Sequence, residues 1–399
     1  MTPETANTDA HRDPAVPEIP TSLRPSDGRF GSGPSKVLPA AVTALADVAP
    51  AFLGTSHRQA TVKNVVGNVR DGISSLLGLP DDYEVLLGNG GATAFWDAAT
   101  FHLIERRSRH LVFGEFSSKF ASAADAAPHL DTPDVVRSDP GTHPAVTATG
   151  DGGAVDLVAL THNETSTGVA LPVARPPDGD AIVAVDATSA AGGMAVDPAE
   201  YDVYYFSPQK CFGADGGLWL AACSPAGVDR IRSLSASERW CPAFLDLGTA
   251  LENSRKNQTY NTPALGTVAI LAATLDWMLD NGGMDFTAGR CARSAGHVYD
   301  WAERRTWATP FVTDAAMRST TVTTVDFDDA VDASTIASVL RANGIIDVEP
   351  YRKLGRNQLR IATFPIIEPD DIERLTGCID WIVESGVADR TAGRPGEAP

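Results

Sequence analysis

The chain has 399 residues, 43% of them hydrophobic and 21% charged, which is ordinary for a globular protein but too long for most single cores, so roughly two domains are expected. A formal net charge of -19 disfavours nucleic acid and anionic membrane surfaces as partners, and any anionic ligand then needs a local basic cluster. Five scattered cysteines without a C-x-x-C pair argue against a disulfide framework or a zinc site; with no membrane-spanning run or signal-peptide segment, a cytoplasmic location is expected.

Residues 1–18 are rich in Pro, Thr, Asp and Ala without periodicity, as are 389–399, and both read as disordered tails. From Ile19 the chain is expected to be ordered. Arg29-Phe30-Gly31-Ser32-Gly33-Pro34-Ser35 has the composition of a tight loop, either a ligand loop or a plain connection. Pro39 to Val48 reads as a short helix with proline in its first turn. A second helix runs from Ala60 to Leu77, because Val62, Val66, Val69, Ile73, Leu76 and Leu77 recur at helical spacing. His57 and Arg58 sit near its N-terminus, where free N–H groups and the dipole favour anions; the plainer reading is a solvated pair.

Glu84 to Gly88 is a strand, and Asn89-Gly90-Gly91-Ala92-Thr93 turns it into a helix expected to reach about Arg106. Such a turn can cradle phosphate on its exposed N–H groups, yet it matches neither the P-loop nor the dinucleotide fingerprint. Apolar runs follow at His110 to Gly114, Val155 to Thr161, Ala181 to Asp186, Val203 to Ser207 and Leu218 to Ala222. Runs apolar throughout are strands buried on both faces of a mostly parallel sheet, so the architecture is α/β. Ligands bind beyond the carboxyl ends of such strands. That gives weight to Glu115-Phe116, His162-Asn163-Glu164-Thr165, Asp186-Ala187-Thr188-Ser189 and Pro208-Gln209-Lys210.

Asn261-Thr262-Pro263 opens a helix expected to reach Leu279, and Asn281-Gly282-Gly283 closes it at a domain boundary. Helices at Phe286 to Ala302, Ala333 to Ala342 and Pro369 to Glu384 then alternate with strands at Thr320 to Asp326 and Gln358 to Thr363. The expected division is residues 19–283 for the N-terminal segment and large domain, and 284–388 for a small α+β domain. Tyr351 to Arg360 carries Arg352, Lys353, Arg356 and Arg360 against the acidic background, the local basic cluster required above.

Lysine occurs only at positions 36, 63, 119, 210, 256 and 353. Lys210 lies in a turn between two apolar runs, where desolvation lowers its pKa and favours the free amine that forms a Schiff base with a carbonyl; otherwise it is a snorkelling side chain at a strand end. Lys210, Asp186 ending the preceding run, the glycine-rich turn and the aromatic Phe116 together match the needs of pyridoxal 5′-phosphate. These are an amine for its aldehyde, an acid for its pyridine nitrogen, donors for its phosphate and a flat face over its ring.

The stretches DGRFGSGPSKV, GTSHRQA, LGNGGATAFWDAA, FGEFSSKFASA, HNETSTGVA, VDATSAAGG, SPQKCFGADGGLWL, KNQTYNTPA and EPYRKLGRNQLRIA extend the pattern over Ile19 to Gly386. In them the chain resembles the phosphoserine aminotransferases of actinobacterial type, class V aminotransferases with the fold type I architecture of pyridoxal-phosphate enzymes. The resemblance implies a large domain with a mostly parallel seven-stranded sheet covered by helices, plus the small C-terminal α+β domain. It implies Lys210 as the Schiff-base lysine and proton shuttle, and Asp186 as partner of the pyridine nitrogen. Phe116 stands where many relatives stack a tryptophan on the ring. Thr165 is implied to bond the phenolic oxygen, and Ala92, Thr93 and Gln209 to hold the phosphate. Asn261 and Thr262 are implied to reach the phosphate in a neighbouring subunit, hence a homodimer with shared sites.

For substrates, Arg360 matches the clamp on the α-carboxylate, and His57 with Arg58 the pair receiving the distal anion. A histidine of many relatives is replaced around Lys353, leaving Lys353 or Arg356 for that contact. The implied reaction passes an amino group between L-glutamate and 3-phosphohydroxypyruvate, giving O-phospho-L-serine and 2-oxoglutarate in serine biosynthesis, with no metal. A 4-phosphohydroxythreonine activity, in vitamin B6 synthesis, is a further option. The alternatives are another class V enzyme such as a cysteine desulfurase, or a non-catalytic binding protein on the same scaffold.

Overall fold

The computed structural model describes residues 16–147, 155–177 and 179–390, so most of both expected tails lies outside the described residues. The parts within them are tied down. The Pro17 carbonyl accepts from the Asn343 amide, Asp389 bridges to Val331, and Arg390 pairs with Asp332 at 2.7 Å. Asp389 and Arg390, placed in the C-terminal tail by composition, are thus held against the small domain.

In chain order, α1 (Pro39–Phe52) and α2 (Ala60–Leu77) precede β1 (Glu84–Asn89), α3 (Ala92–His102), β2 (Ser108–Val112), α4 (Glu115–Ala126), β3 (Asp134–Arg137) and β4 (Leu157–Thr161). A short hairpin, β5 (Asn163–Glu164) and β6 (Val169–Ala170), leads to β7 (Ile182–Asp186), β8 (Val203–Phe206), β9 (Leu218–Cys223), α5 (Pro225–Ser235), α6 (Leu247–Ser254) and α7 (Leu265–Asp280). The last part holds α8 (Gly283–Glu303), β10 (Ala308–Pro310), β11 (Val322–Phe327), α9 (Ala333–Ala342), β12 (Gln358–Ala362) and α10 (Pro369–Glu384).

Seven strands form one sheet in the order β1-β9-β8-β7-β4-β2-β3, with only β9 antiparallel to its neighbours. Every residue of β4, β7, β8 and β9 is buried, which explains why their sequences run apolar instead of alternating. Successive side chains still serve opposite faces. Tyr204 and Phe206 join a core with α2 and α7, whereas Val203 and Tyr205 join a second core with α3, α5 and α6.

Several helix boundaries differ from the sequence expectation, α1 running on to Phe52 and α8 starting at Gly283, and two of the differences have a clear local reason. Helix α3 stops at His102 because the Asp156 carboxylate accepts the N–H groups of Glu105, Arg106 and Arg107 at 2.7 to 2.8 Å, drawing them out of the helix. Helix α7 opens at Leu265 because Pro263 disfavours helical backbone at Thr262, and the Asn89 amide bonds the Asn261 and Thr262 carbonyls at 3.2 Å.

The small domain is the antiparallel sheet β10-β11-β12 packed with α8, α9 and α10. The N-terminal segment, placed with the large domain by chain order, hydrogen-bonds to the small one. Ile346 N–H donates to the Gly28 carbonyl at 2.7 Å, Ala362 N–H to the Phe30 carbonyl at 3.1 Å, and Asp371 accepts from the Ser26 N–H and hydroxyl. At Gly28 a Cβ would lie 2.1 Å from the Gly344 carbonyl oxygen, so only glycine permits this crossing. Among the described residues no helix is long and apolar enough to cross a membrane, and no cluster of His, Cys, Asp and Glu could hold a metal ion.

Candidate active site

The carboxyl ends of β4, β7 and β8 meet the first turns of α3 and α4 around a cavity of about 330 Å³. Its walls bring together eight of the residues singled out from sequence: Ala92, Thr93, Phe116, Thr165, Asp186, Gln209, Lys210 and Arg360. Trp96 and Tyr351 also line it.

Lys210 is buried, and its Nζ donates to Thr165 Oγ1 at 2.8 Å while lying 5.0 Å from the Phe116 ring centroid. Desolvation lowers the amine to about 8, partly opposed by the negative charge of Asp186, so the neutral form is accessible near neutrality. The N-terminal segment closes over its stem. A Cβ at Gly33, whose φ is +139°, would sit 2.8 Å from Lys210 Cε.

Asp186 ends β7 on the cavity floor, where burial pushes its carboxyl up against the Thr188 N–H at 2.9 Å and the Trp96 indole at 3.1 Å. Trp96 was not singled out from sequence. Its signal is spacing, since it follows Ala92 by one helical turn and so shares the face that meets the cavity.

Helix α3 presents its N-terminal first turn to the cavity, where free N–H groups and the helix dipole suit an anion. Ala92 makes a smaller contribution than its position suggested, because its N–H is given to Ser207 Oγ at 2.7 Å. Gln209 Oε1 is buried without a partner. Phe116 is aimed by Glu164, which the sequence placed beyond a strand end without assigning it a role. The fully buried Glu164 carboxylate caps α4, accepting the Phe116 and Ser117 N–H groups at 3.3 and 2.9 Å.

Arg360 reaches the cavity from β12, donating to the Thr165 carbonyl at 3.1 Å and lying 5.5 Å from the Tyr351 ring centroid. Its Nε is buried without a partner, and no carboxylate pairs with it among the described residues. A buried guanidinium with a spare donor is a ready receptor for a carboxylate.

The other four predicted residues lie outside this cavity, and three of them are joined to one another. His57 Nδ1 meets Thr262 Oγ1 at 3.3 Å, and Asn89 ties Asn261 to the same loop. Arg58, Asn261 and Thr262 are exposed. Desolvation and then the Arg58 charge hold His57 below the ordinary histidine range. Of the two basic candidates, Lys353 pairs with Glu115 at 2.5 Å in a neighbouring pocket that shares Tyr351 with the cavity, whereas Arg356 is paired with Asp326. No cysteine offers an exposed, acidic thiol. Burial raises Cys241 to about 12 and Cys378 to about 11, and the other three are fully buried.

These residues fit pyridoxal 5′-phosphate. The low-pKa buried amine, the buried carboxylate, the ring of Phe116 and the N-terminal turn of α3, whose N–H groups suit a phosphate, all face one space.

The comparisons agree with the geometry. The model of the aminotransferase class-V family matches residues 30–348. A Mycobacterium leprae protein is 61% identical over 368 residues, covering 92% of this chain and 97% of that one. The Corynebacterium glutamicum phosphoserine aminotransferase is 56% identical over 373 residues, 93% of this chain and 98% of its own. Among solved structures, a phosphoserine aminotransferase from Cytophaga hutchinsonii superposes with a TM-score of 0.82 at 25% identity, covering 89% of this chain and 99% of that one. With cavity, topology and near end-to-end similarity in accord, the chain belongs to the class-V aminotransferase family.

Proposed function

We propose that the protein is a phosphoserine aminotransferase, exchanging an amino group between L-glutamate and 3-phosphohydroxypyruvate to give O-phospho-L-serine and 2-oxoglutarate. The observation that carries it is one cavity holding both a nucleophilic lysine and an arginine that lacks a carboxylate partner. The similarity to the Corynebacterium glutamicum enzyme supports the choice of phosphorylated substrate.

Pyridoxal 5′-phosphate is the cofactor, and when bound it supplies the electron sink and carries the amino group between the two half-reactions. The protein does the rest. Lys210 Nζ takes and returns the α-proton, Asp186 keeps a proton on the pyridine nitrogen, and Arg360 orients the substrate by its α-carboxylate. Phe116 covers the ring face and Thr165 holds the lysine. Thr93 and Gln209 face the phosphate, with Ala92 lending its helix end.

His57, Arg58, Asn261 and Thr262 complete the site of a second copy in this reading, so the working unit is a homodimer. Their separation from the cavity of their own chain supports it. The same two segments also expose Leu53 and Tyr260, apolar groups suited to an interface. Five free thiols accord with action in the cytoplasm.

The test is a half-reaction. The amino-loaded enzyme is titrated with 3-phosphohydroxypyruvate and with hydroxypyruvate, and strong preference for the phosphorylated acid is expected. Equal efficiency would remove the distal phosphate site from the proposal. Running the assay from 4-phosphohydroxythreonine decides whether that longer substrate, of the vitamin B6 route, is also used.

A further inference from the structure

Lys210 is held by a hydrogen-bonded chain whose direction can be worked out from its far end. Ser189 Oγ, 1% exposed as a residue, donates to the Asn163 carbonyl at 3.0 Å and accepts from the Asn163 side-chain amide at 2.8 Å. A hydroxyl has one proton, and that of Ser189 is committed to Asn163. Ser189 can therefore only accept from Thr165 Oγ1, 2.8 Å away, so the Thr165 proton points to Ser189. Thr165 Oγ1 is left as an acceptor, and it receives an N–H from Lys210 Nζ at 2.8 Å.

We propose that Ser189 is a positioning residue: by fixing which way the Thr165 hydroxyl points, it keeps the nitrogen lone pair of Lys210 free to attack a carbonyl in the cavity. Without Ser189, the Thr165 proton loses its acceptor, and the amine already 2.8 Å from Thr165 Oγ1 is next to it. That proton would turn onto the lone pair and mask the nucleophile. Thr165 and Lys210 are both buried, which strengthens a hydrogen bond between them relative to one in water. The Ser189 main chain is itself anchored, its carbonyl accepting from Thr321 Oγ1 of the small domain at 2.7 Å.

This inference rests on the proposed role of Lys210 but not on the identity of the substrates, and its test needs no turnover. Cofactor-free protein is reductively methylated with formaldehyde and cyanoborohydride between pH 7 and 10, and modification at Lys210 is measured by peptide mass spectrometry relative to the exposed Lys256. Formaldehyde is small enough for the cavity and must be attacked by the lone pair. The charges facing Lys210 are Asp186 ending β7, Glu164 of β5 and Arg360 of β12, with Cys211 beside it in the turn, and all are retained in the variants.

In the wild type the rate at Lys210 should rise through about pH 8 and level off. In Ser189→Ala the plateau should fall about tenfold, the effect of one ordinary hydrogen bond on the lone pair. In Ser189→Ala/Thr165→Val no hydroxyl remains to mask the amine, and the plateau should recover to within about threefold of wild type, the residue of lost positioning. A plateau unchanged in Ser189→Ala, or a double variant as slow as the single one, would overturn the proposal. Thermal melting establishes that each variant is folded, and Ser189→Cys, a weak donor of similar size, replaces Ser189→Ala if the latter is not.

Discussion

The floor of the cavity and the patch carrying His57 and Arg58 contrast in almost every physical respect. On the floor, Lys210, Asp186, Thr165 and Trp96 are buried and joined by hydrogen bonds within one chain. On the patch, Arg58, Asn261 and Thr262 are open to solvent, and His57 Nε2 has no partner. Groups that move protons or stabilise charge need desolvation and fixed geometry, which a single folded core can provide. Groups proposed to capture a distal phosphate need access, and these lie outside the cavity of their own chain.

The largest expected effect lies on the floor. Lys210→Met should lower glutamate-dependent turnover by at least roughly a thousandfold, the upper part of the range for losing a proton-transfer group. The same change should stabilise the cofactor-free protein. Burial holds Lys210 near 8 rather than its ordinary 10.5, so below pH 8 the folded state carries a desolvated ammonium that the unfolded state does not. Removing it should gain about 3 kcal/mol at pH 7, a gain that fades between pH 8 and 10.5. Chemical denaturation at the two ends of that window checks the sign, and a gain that grew with pH would contradict it.

Arg360→Ala should cost about a hundredfold in kcat/KM with both substrates alike, since both carry an α-carboxylate. A loss confined to the phosphorylated substrate would move Arg360 from the floor's company to that of the patch.

The contrast breaks most directly by mixing subunits. Lys210→Ala and Arg58→Ala proteins, unfolded and refolded together, should recover about a quarter of wild-type activity by random pairing, because half the dimers then hold one intact site. No recovery above the Arg58→Ala protein alone would place floor and patch in the same chain.

The smallest effect is expected at the rim. Lys353 is exposed and already paired with Glu115, so Lys353→Ala should raise KM for 3-phosphohydroxypyruvate by only about threefold. Arg356→Ala should leave that KM unchanged, as Arg356 is held by Asp326 away from the cavity. Steady-state kinetics with both substrates separates these outcomes.

Much of this protein can be read from residues alone, for a physical reason. Strands buried on both faces must be apolar throughout, so β4, β7, β8 and β9 stand out in the sequence, and the polar residues that end or follow them, Thr165, Asp186 and Lys210 among them, stand out in turn. Helices α2, α9 and α10 show their limits through periodicity and caps. Less legible were the residues acting through another: Trp96 on Asp186, Glu164 on the first turn of α4, Ser207 on Ala92 and Ser189 on Thr165. Each is an ordinary core or turn residue by type, and its role depends on a partner 24 to 115 positions away.

Sequence by itself determined the α/β class and the kind of cofactor, and pointed to the amine and acid proposed for the site, because burial and strand ends leave a compositional trace. Tertiary structure decided what meets what. It set Arg360 beside Thr165 across 195 residues, laid the N-terminal segment against the small domain, and separated the floor from the patch. Such contacts depend on chain crossings and the one-proton arithmetic of each hydroxyl, neither of which leaves a local pattern in the chain.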